Sequence, residues 1–294
     1  MFLNFAKFIR FSKYGRAYSY DARPIEMACN IFENKNTDNT KPPLMIMHGL
    51  FGSKQNWRAV SRSLESKTNR KIITLDARNH GQSPHTDEHS SMHMAVDVIE
   101  LMKQMGIPKA SVMGHSMGGR TMMFLALKYP EYVSDGIIVD ISPISVPRDF
   151  FQMEQIFLAM KDIQIPAELS MGDGRKFAEV EIKKVVSQKE TVDFILLNLR
   201  KIDGKFSWAV NVNALHNNLS QFTNFMDQIS GLGPYKGKMM FVCGNKSNFV
   251  DPKSWPQIQK IFPNSEIHWL DAGHLVHFDQ PSKFIELLVK FLNK

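Results

Sequence analysis

Ala110-Ser111-Val112-Met113-Gly114-His115-Ser116-Met117-Gly118-Gly119-Arg120 is the stretch that decides the fold. An apolar run of strand length leads into Gly-His-Ser-Met-Gly, and the pattern after it, residues 120–129, is helical. Strand, sharp turn and helix is the context that turns a G-x-S-x-G match into a nucleophile elbow, a serine presented at the tip of a strand. The five-residue match recurs by chance. It gains weight only if an oxyanion-binding loop precedes it and a carboxylate and a histidine follow, each just past a strand.

Working outward, residues 44–47 predict a buried strand that ends in His48-Gly49-Leu50-Phe51-Gly52-Ser53, with a helix over about 56–66. Residues 71–75 predict a strand ending in Asp76-Ala77-Arg78-Asn79-His80-Gly81-Gln82-Ser83-Pro84, and 92–105 an amphipathic helix closed by Gly106. Upstream, 18–32 alternate enough for one or two leading strands broken at Arg23-Pro24, and 33–43 form a polar turn. Downstream of the elbow, 136–141 form a β-branched strand stopping at Asp140-Ile141-Ser142-Pro143. From about 145 to 235 no comparable apolar strand is visible and the patterns are helical, with Phe150, Phe151, Ile156, Phe157 and Met160 as one apolar stretch. The alternation then resumes with a strand at 238–243, a helix near 256–262, a strand at 266–270 and a last helix at 282–292.

Strands alternating with helices imply an α/β fold with a mostly parallel central sheet flanked by helices, whose ligands bind at the carboxyl ends of the strands. The expected organisation is an N-terminal arm (1–20), a core from 21–144 and 236–294, and a helical cap inserted at 145–235. All the motifs named lie at strand carboxyl ends.

The 294 residues are 43% apolar and 22% charged, enough for one large core, and no run of 18 apolar residues suggests a membrane span. Cys29 and Cys243 sit in separate apolar runs and read as small core residues, not a disulfide. The formal charge is +7, but Lys7, Arg10, Lys13 and Arg16 fall in the first twenty residues, which hold no Asp or Glu, and without them the remainder carries +3. A nucleic-acid partner is therefore not expected. The same segment spaces Phe2, Phe5, Phe8 and Phe11 by three, an acid-free amphipathic composition that predicts a mitochondrial transit peptide.

Ser116 is the expected nucleophile, and the Met117 amide, at the positive end of the following helix, an expected oxyanion donor. His48-Gly49-Leu50-Phe51 supplies the second donor, assigned to Leu50 with Phe51 as second choice. His274, in Asp271-Ala272-Gly273-His274 after the last strand, is the expected general base, and His277 is expected to cap or pack on the last helix. The acid departs from the common pattern. After the strand ending at Cys243 the chain reads Gly244-Asn245-Lys246-Ser247-Asn248-Phe249-Val250, so Ser247 stands where an aspartate is usual. Serine cannot carry the charge that steadies an imidazolium. Asp140 is the first choice of acid and Asp251 the second. Asp76, Arg78, His80 and Ser83 read as a supporting loop. His85, His89 and His93 recur every four residues, but Pro84, Asp87 and Ser90-Ser91 argue for a helix-capping loop and not a metal site. Gly231-Leu232-Gly233-Pro234 lacks P-loop spacing and reads as a linker, and no cofactor or metal is expected.

Taken together, the chain resembles the α/β-hydrolase superfamily from Tyr18 to its C-terminus. Asp76-Ala77-Arg78-Asn79-His80-Gly81, Val139-Asp140-Ile141-Ser142-Pro143, Gly244-Asn245 before Ser247 and Ala272-Gly273-His274 are similar to one branch, the YbfF-type bacterial esterases and the eukaryotic α/β-hydrolase domain-containing protein 11 proteins. Some members carry Asp where this chain has Asn213. The resemblance implies a serine esterase with a helical cap, Asp140 as acid with Ser247 auxiliary, and mitochondrial location in eukaryotes. The expected function is hydrolysis of acyl esters, carboxylic or thioester, on a lipid-like or short-to-medium acyl substrate through an acyl-enzyme. The alternatives are an acyltransferase, or a non-catalytic ligand-binding or scaffold protein on the same fold. The expected partner is a small ester, with peripheral membrane contact left open.

Overall fold

The computed structural model describes residues 22–146, 150 and 152–294. The expected targeting arm, residues 1–20, lies outside the described residues, as does Phe151.

The core begins with β1 (Cys29–Phe32), β2 (Leu44–Met47), α1 (Arg58–Thr68), β3 (Ile72–Leu75), α2 (Ser91–Gln104), β4 (Ala110–His115), α3 (Met117–Lys128) and β5 (Val133–Val139). The cap follows as α4 (Met153–Asp162), α5 (Met171–Lys183), α6 (Lys189–Leu196), β6 (Leu199–Ile202), β7 (Lys205–Trp208), α7 (Val212–Asn217), α8 (Leu219–Thr223) and α9 (Phe225–Gln228). The core resumes with β8 (Lys238–Gly244), α10 (Trp255–Ile261), β9 (Ser265–Leu270), α11 (Val276–Asp279) and α12 (Pro281–Leu292).

The core strands form one sheet in the order β1-β3-β2-β4-β5-β8-β9, with β1 antiparallel to β3 and every other neighbour parallel. β2 is Leu-Met-Ile-Met and buried throughout, as a strand covered on both faces must be. One apolar cluster joins α2, α3 and the cap to one face of the sheet, and a second joins α1 and α12 to the other. α3 is buried from Met117 to Leu127, so its sequence is apolar almost all round.

β5 stops at Val139, two residues before the expected end, because Asp140 turns into the left-handed region at φ +48°. The cap contains a hairpin that the sequence did not lead us to expect. β6 and β7 pair antiparallel across Asp203-Gly204, both left-handed at φ +50° and +77°, the residue pair that favours a tight hairpin turn. Its strands, Leu-Arg-Lys-Ile and Lys-Phe-Ser-Trp, are half polar and partly exposed, so a search for apolar strands passes over them.

Arg120, in the second turn of α3, clasps the two ends of the cap. Its guanidinium donates to the carbonyls of Ser142 and Ser145 at the start and of Phe222 near the end. Burial among these neutral acceptors pushes its pKa down to about 10.

Candidate active site

Ser116 links β4 to α3 with φ +52° and ψ −116°, a conformation that a non-glycine residue holds only under restraint. The restraint is steric and local. A Cβ at Gly114 would lie 2.2 Å from the Gly118 carbonyl oxygen, and one at Gly118 2.5 Å from the Met47 carbonyl oxygen. Both glycines of the motif are thus required by the close crossing of strand, helix and the end of β2. The Ser116 amide donates to the Val139 carbonyl, tying the elbow to β5 beside Asp140.

His274 lies in the loop between β9 and α11, and its Nδ1 is 2.7 Å from Asp140 Oδ2. Asp140 is fully buried. Ser247 Oγ donates to the same oxygen at 2.5 Å, and the Gly244 amide donates to Oδ1 at 2.9 Å. Two fixed donors and the imidazole hold the carboxylate in place. Asp251, the second choice, is elsewhere: exposed, it accepts from the Lys253 amide at 2.9 Å and caps a short 3₁₀ turn. The His274 ring stacks on Phe249, with centroids 3.5 Å apart and planes at 14°. His115 Nε2 donates to the His274 carbonyl at 2.9 Å, so the residue before Ser116 fixes the histidine loop. Gly244 allows that loop to approach, since a Cβ there would be 2.2 Å from the Gly273 carbonyl oxygen.

The loop after β2 approaches from the other side: a Cβ on Gly49 would lie 3.2 Å from Ser116 Cβ. The Gly49 carbonyl accepts from His48 Nδ1 at 2.7 Å and from the Gly52 amide at 2.9 Å. Since a trans peptide is planar, the Leu50 N–H points away from that carbonyl and is fixed by the same two bonds. The Phe51 N–H is already engaged, donating to His80 Nε2 at 3.3 Å. Of the two expected choices the geometry leaves Leu50 free to act. Among the described residues the Leu50 and Met117 amides have no acceptor.

His80, expected in a supporting loop, and His48, for which no role was expected, both brace this loop. His48 Nε2 accepts from the Ala77 amide, and His80 Nδ1 donates to the Arg78 carbonyl. Each ring accepts through Nε2, so each is neutral with its proton on Nδ1. Burial lowers both pKa values, that of His80 to about 3. Around them Asp76 takes the Lys54 and Gln82 amides and pairs with the Lys54 ammonium, Ser83 Oγ donates to the Asp76 carbonyl, and Arg78 forms a buried two-point pair with Asp97.

The chain matches the family described as alpha/beta hydrolase fold over residues 42–281. It belongs to the α/β-hydrolase superfamily. Its relatives include the mouse protein named sn-1-specific diacylglycerol lipase ABHD11, 35% identical over 273 residues that cover 92% of this chain and 87% of that protein. The zebrafish (Danio rerio) protein of the same name is 35% identical over 92% of this chain and 84% of its own length. These place the chain in the expected branch. Ethanol acetyltransferase 1 of Cyberlindnera jadinii is 29% identical, over 90% of this chain and 83% of that protein. Among solved structures, a marine microorganism esterase superposes with TM-score 0.80 at 29% identity, covering 91% of this chain and 99% of its own.

In this α/β-hydrolase the cap packs aromatic side chains against residues that neighbour the elbow. Phe157 of α4 meets Phe51 at 5.5 Å, and Phe222 of α8 meets His89 at 5.5 Å. His89 in turn places Nε2 3.4 Å from the Met117 sulfur. The other two of the evenly spaced histidines diverge: His93 caps α2 with Ser90, and His85 is exposed beside the Ala209 carbonyl. His277 is buried and stacks on Trp57, and its ring also meets Phe284 of the last helix, α12, at 6.1 Å. A cavity of about 510 Å³ lies within the cap, lined by Met160, Trp208 and Asn213 among others, and touches neither Ser116 nor His274.

Proposed function

We propose that this protein is a serine hydrolase that cleaves acyl esters through an acyl-enzyme, with Ser116 as nucleophile, His274 as general base and then acid, and Asp140 as orienter. The observation that carries this is the 2.7 Å contact between His274 Nδ1 and the buried Asp140 carboxylate. It puts the proton on Nδ1 and leaves Nε2 as the basic nitrogen to take the Ser116 hydroxyl proton. Ser116 Oγ then attacks the ester carbonyl, and the Leu50 and Met117 amides receive the oxyanion. The imidazolium returns its proton to the leaving alcohol, and water repeats the sequence to free the acid. Ser247 stays a donor to Asp140 throughout.

The protein is a carboxylic ester hydrolase, and the names of its relatives support small, lipid-like acyl esters of the diacylglycerol kind as substrates. Transfer to an alcohol in place of water is a second reading, favoured by the relative named ethanol acetyltransferase. The two separate by product: with ethanol present, a transferase makes ethyl ester faster than free acid. The acid-free basic arm supports delivery to mitochondria, which an import assay with isolated organelles tests.

A fluorophosphonate probe should label wild-type protein on Ser116 and fail to label Ser116→Ala, which should also lose ester turnover by roughly 10³-fold or more. Absence of both labelling and turnover in the wild type refutes the enzyme reading.

A further inference from the structure

We propose that Asn198 is a positioning residue through which the seated cap sets the direction of the oxyanion donor Leu50. This rests on the serine hydrolase reading above and extends it to a residue outside the reacting groups. Asn198 lies between α6 and β6, is buried at 5% exposure, and donates its side-chain amide to the Phe51 carbonyl at 2.8 Å and to the Ile195 carbonyl at 3.2 Å. Its own carbonyl accepts from the Ala209 amide at 2.7 Å, so the side chain is presented from a fixed backbone.

The Phe51 carbonyl shares a peptide plane with the Gly52 N–H, and that N–H donates to the Gly49 carbonyl at 2.9 Å. The Gly49 carbonyl shares its plane with the Leu50 N–H. Two rigid planes joined by one hydrogen bond therefore connect the cap to the oxyanion donor. Turning the first plane breaks or bends the bond that orients the second. Phe51 needs this support, because it holds φ +61°, which non-glycine residues keep only when their surroundings impose it. His80 holds its N–H from the core and Asn198 holds its carbonyl from the cap. The Phe157 ring of the cap rests against its side chain. Of the two bonds that hold the Phe51 peptide, the one to His80 comes from the core and the one to Asn198 depends on where the cap sits. The oxyanion hole is thus complete only with the cap seated.

The test uses the full chain, a soluble aryl ester and an alkyl trifluoromethyl ketone, whose adduct with Ser116 carries an oxyanion. Asn198→Ala should lower kcat about tenfold, short of the 10²–10³-fold of losing a donor outright, with KM changed less than about twofold. Affinity for the ketone should weaken by the same factor as kcat/KM, which a merely structural role would not produce. Asn198→Asp keeps the side-chain shape and turns an acceptor toward the Phe51 carbonyl. It should lose more than Asn198→Ala, and it reads the same bond if the smaller side chain costs the fold, as followed by the thermal transition. The relay is wrong if either folded variant keeps kcat within twofold of wild type, if the loss falls on KM alone, or if ketone affinity is unchanged. Failure of the underlying reading looks different, since wild-type Ser116 would then resist the fluorophosphonate.

Discussion

Replacing His277 by Phe should make the fold measurably less sensitive to acid. His277 is buried with its ring 4.2 Å from that of Trp57 and nearly parallel to it, and its Nδ1 has no hydrogen-bond partner among the described residues. Burial, and after it the charge that His274 can carry, lowers its pKa from 6.5 to about 3. Between those values the unfolded chain binds a proton that the folded chain does not. Stability is therefore intact above about pH 6.5 and declines as pH falls toward 3. At about 1.4 kcal/mol per pH unit, the 1.5 units from 6.5 to 5 remove about 2 kcal/mol. His80, also lowered to about 3, first by burial and then by His48, loses a similar amount over the same window. Together the two account for about 4 kcal/mol. Phe keeps an aromatic ring against Trp57 and cannot take up a proton. Urea unfolding followed by tryptophan fluorescence at pH 7.5 and pH 5 should show the variant losing about 2 kcal/mol less than wild type. Equal losses in the two proteins would refute the account of His277 as a buried neutral base.

Three further substitutions test how Asp140 works. Asp140→Asn should lower kcat by about 10⁴-fold in a soluble ester assay, because an amide can hold His274 in the wrong tautomer and cannot balance its charge. Asp251→Asn should leave turnover within about twofold and stability unchanged, since Asn caps a helical turn as well as Asp does. The reverse ranking would move the acid to Asp251. Ser247→Ala removes one of two fixed donors to the carboxylate while leaving the Gly244 amide, so kcat should fall roughly 10- to 100-fold, in keeping with loss of one hydrogen bond to a charged group, with KM unmoved. An unchanged kcat would make Ser247 a bystander.

What was legible in the sequence divides by physical cause. The core strands and helices were, because a parallel sheet buried on both faces must be written in continuous apolar runs such as Leu44 to Met47. The sharp turn at Ser116 was, because it needs small residues at 114 and 118, and that need is local. The Asp203-Gly204 hairpin was not: its exposed strands carry no apolar run, although the Asp-Gly pair itself was a usable signal. The particular bonds that brace the oxyanion loop were hidden for another reason, although His80 was read as part of a supporting loop. His48 and His80 act through backbone partners about thirty residues away, Ala77 and Phe51, and main-chain hydrogen bonds leave no mark on residue identity. His115 is similar. It occupies a position that the motif leaves free, and its partner is a carbonyl 159 residues later.

The same distinction bears on the choice of Asp140 as the proposed acid. Strands β5 and β8 are neighbours, with Val139 in register with Val242, so their carboxyl ends lie side by side. A carboxylate after either strand can reach a histidine loop that follows β9, and the fold does not choose between the two ends. The choice is made by which end also supplies donors. Asp140 leaves β5 in the left-handed region, and its carboxylate is met by the Gly244 amide and the Ser247 hydroxyl, both from the end of β8. An aspartate at 247 would set two carboxylates against each other, raising the pKa of one of them. Serine at 247 is therefore the complement of aspartate at 140, and a double variant that exchanges them, Asp140→Ser with Ser247→Asp, should recover more turnover than Asp140→Ser alone. If the pair gains nothing over the single change, the two positions are not equivalent seats for the acid.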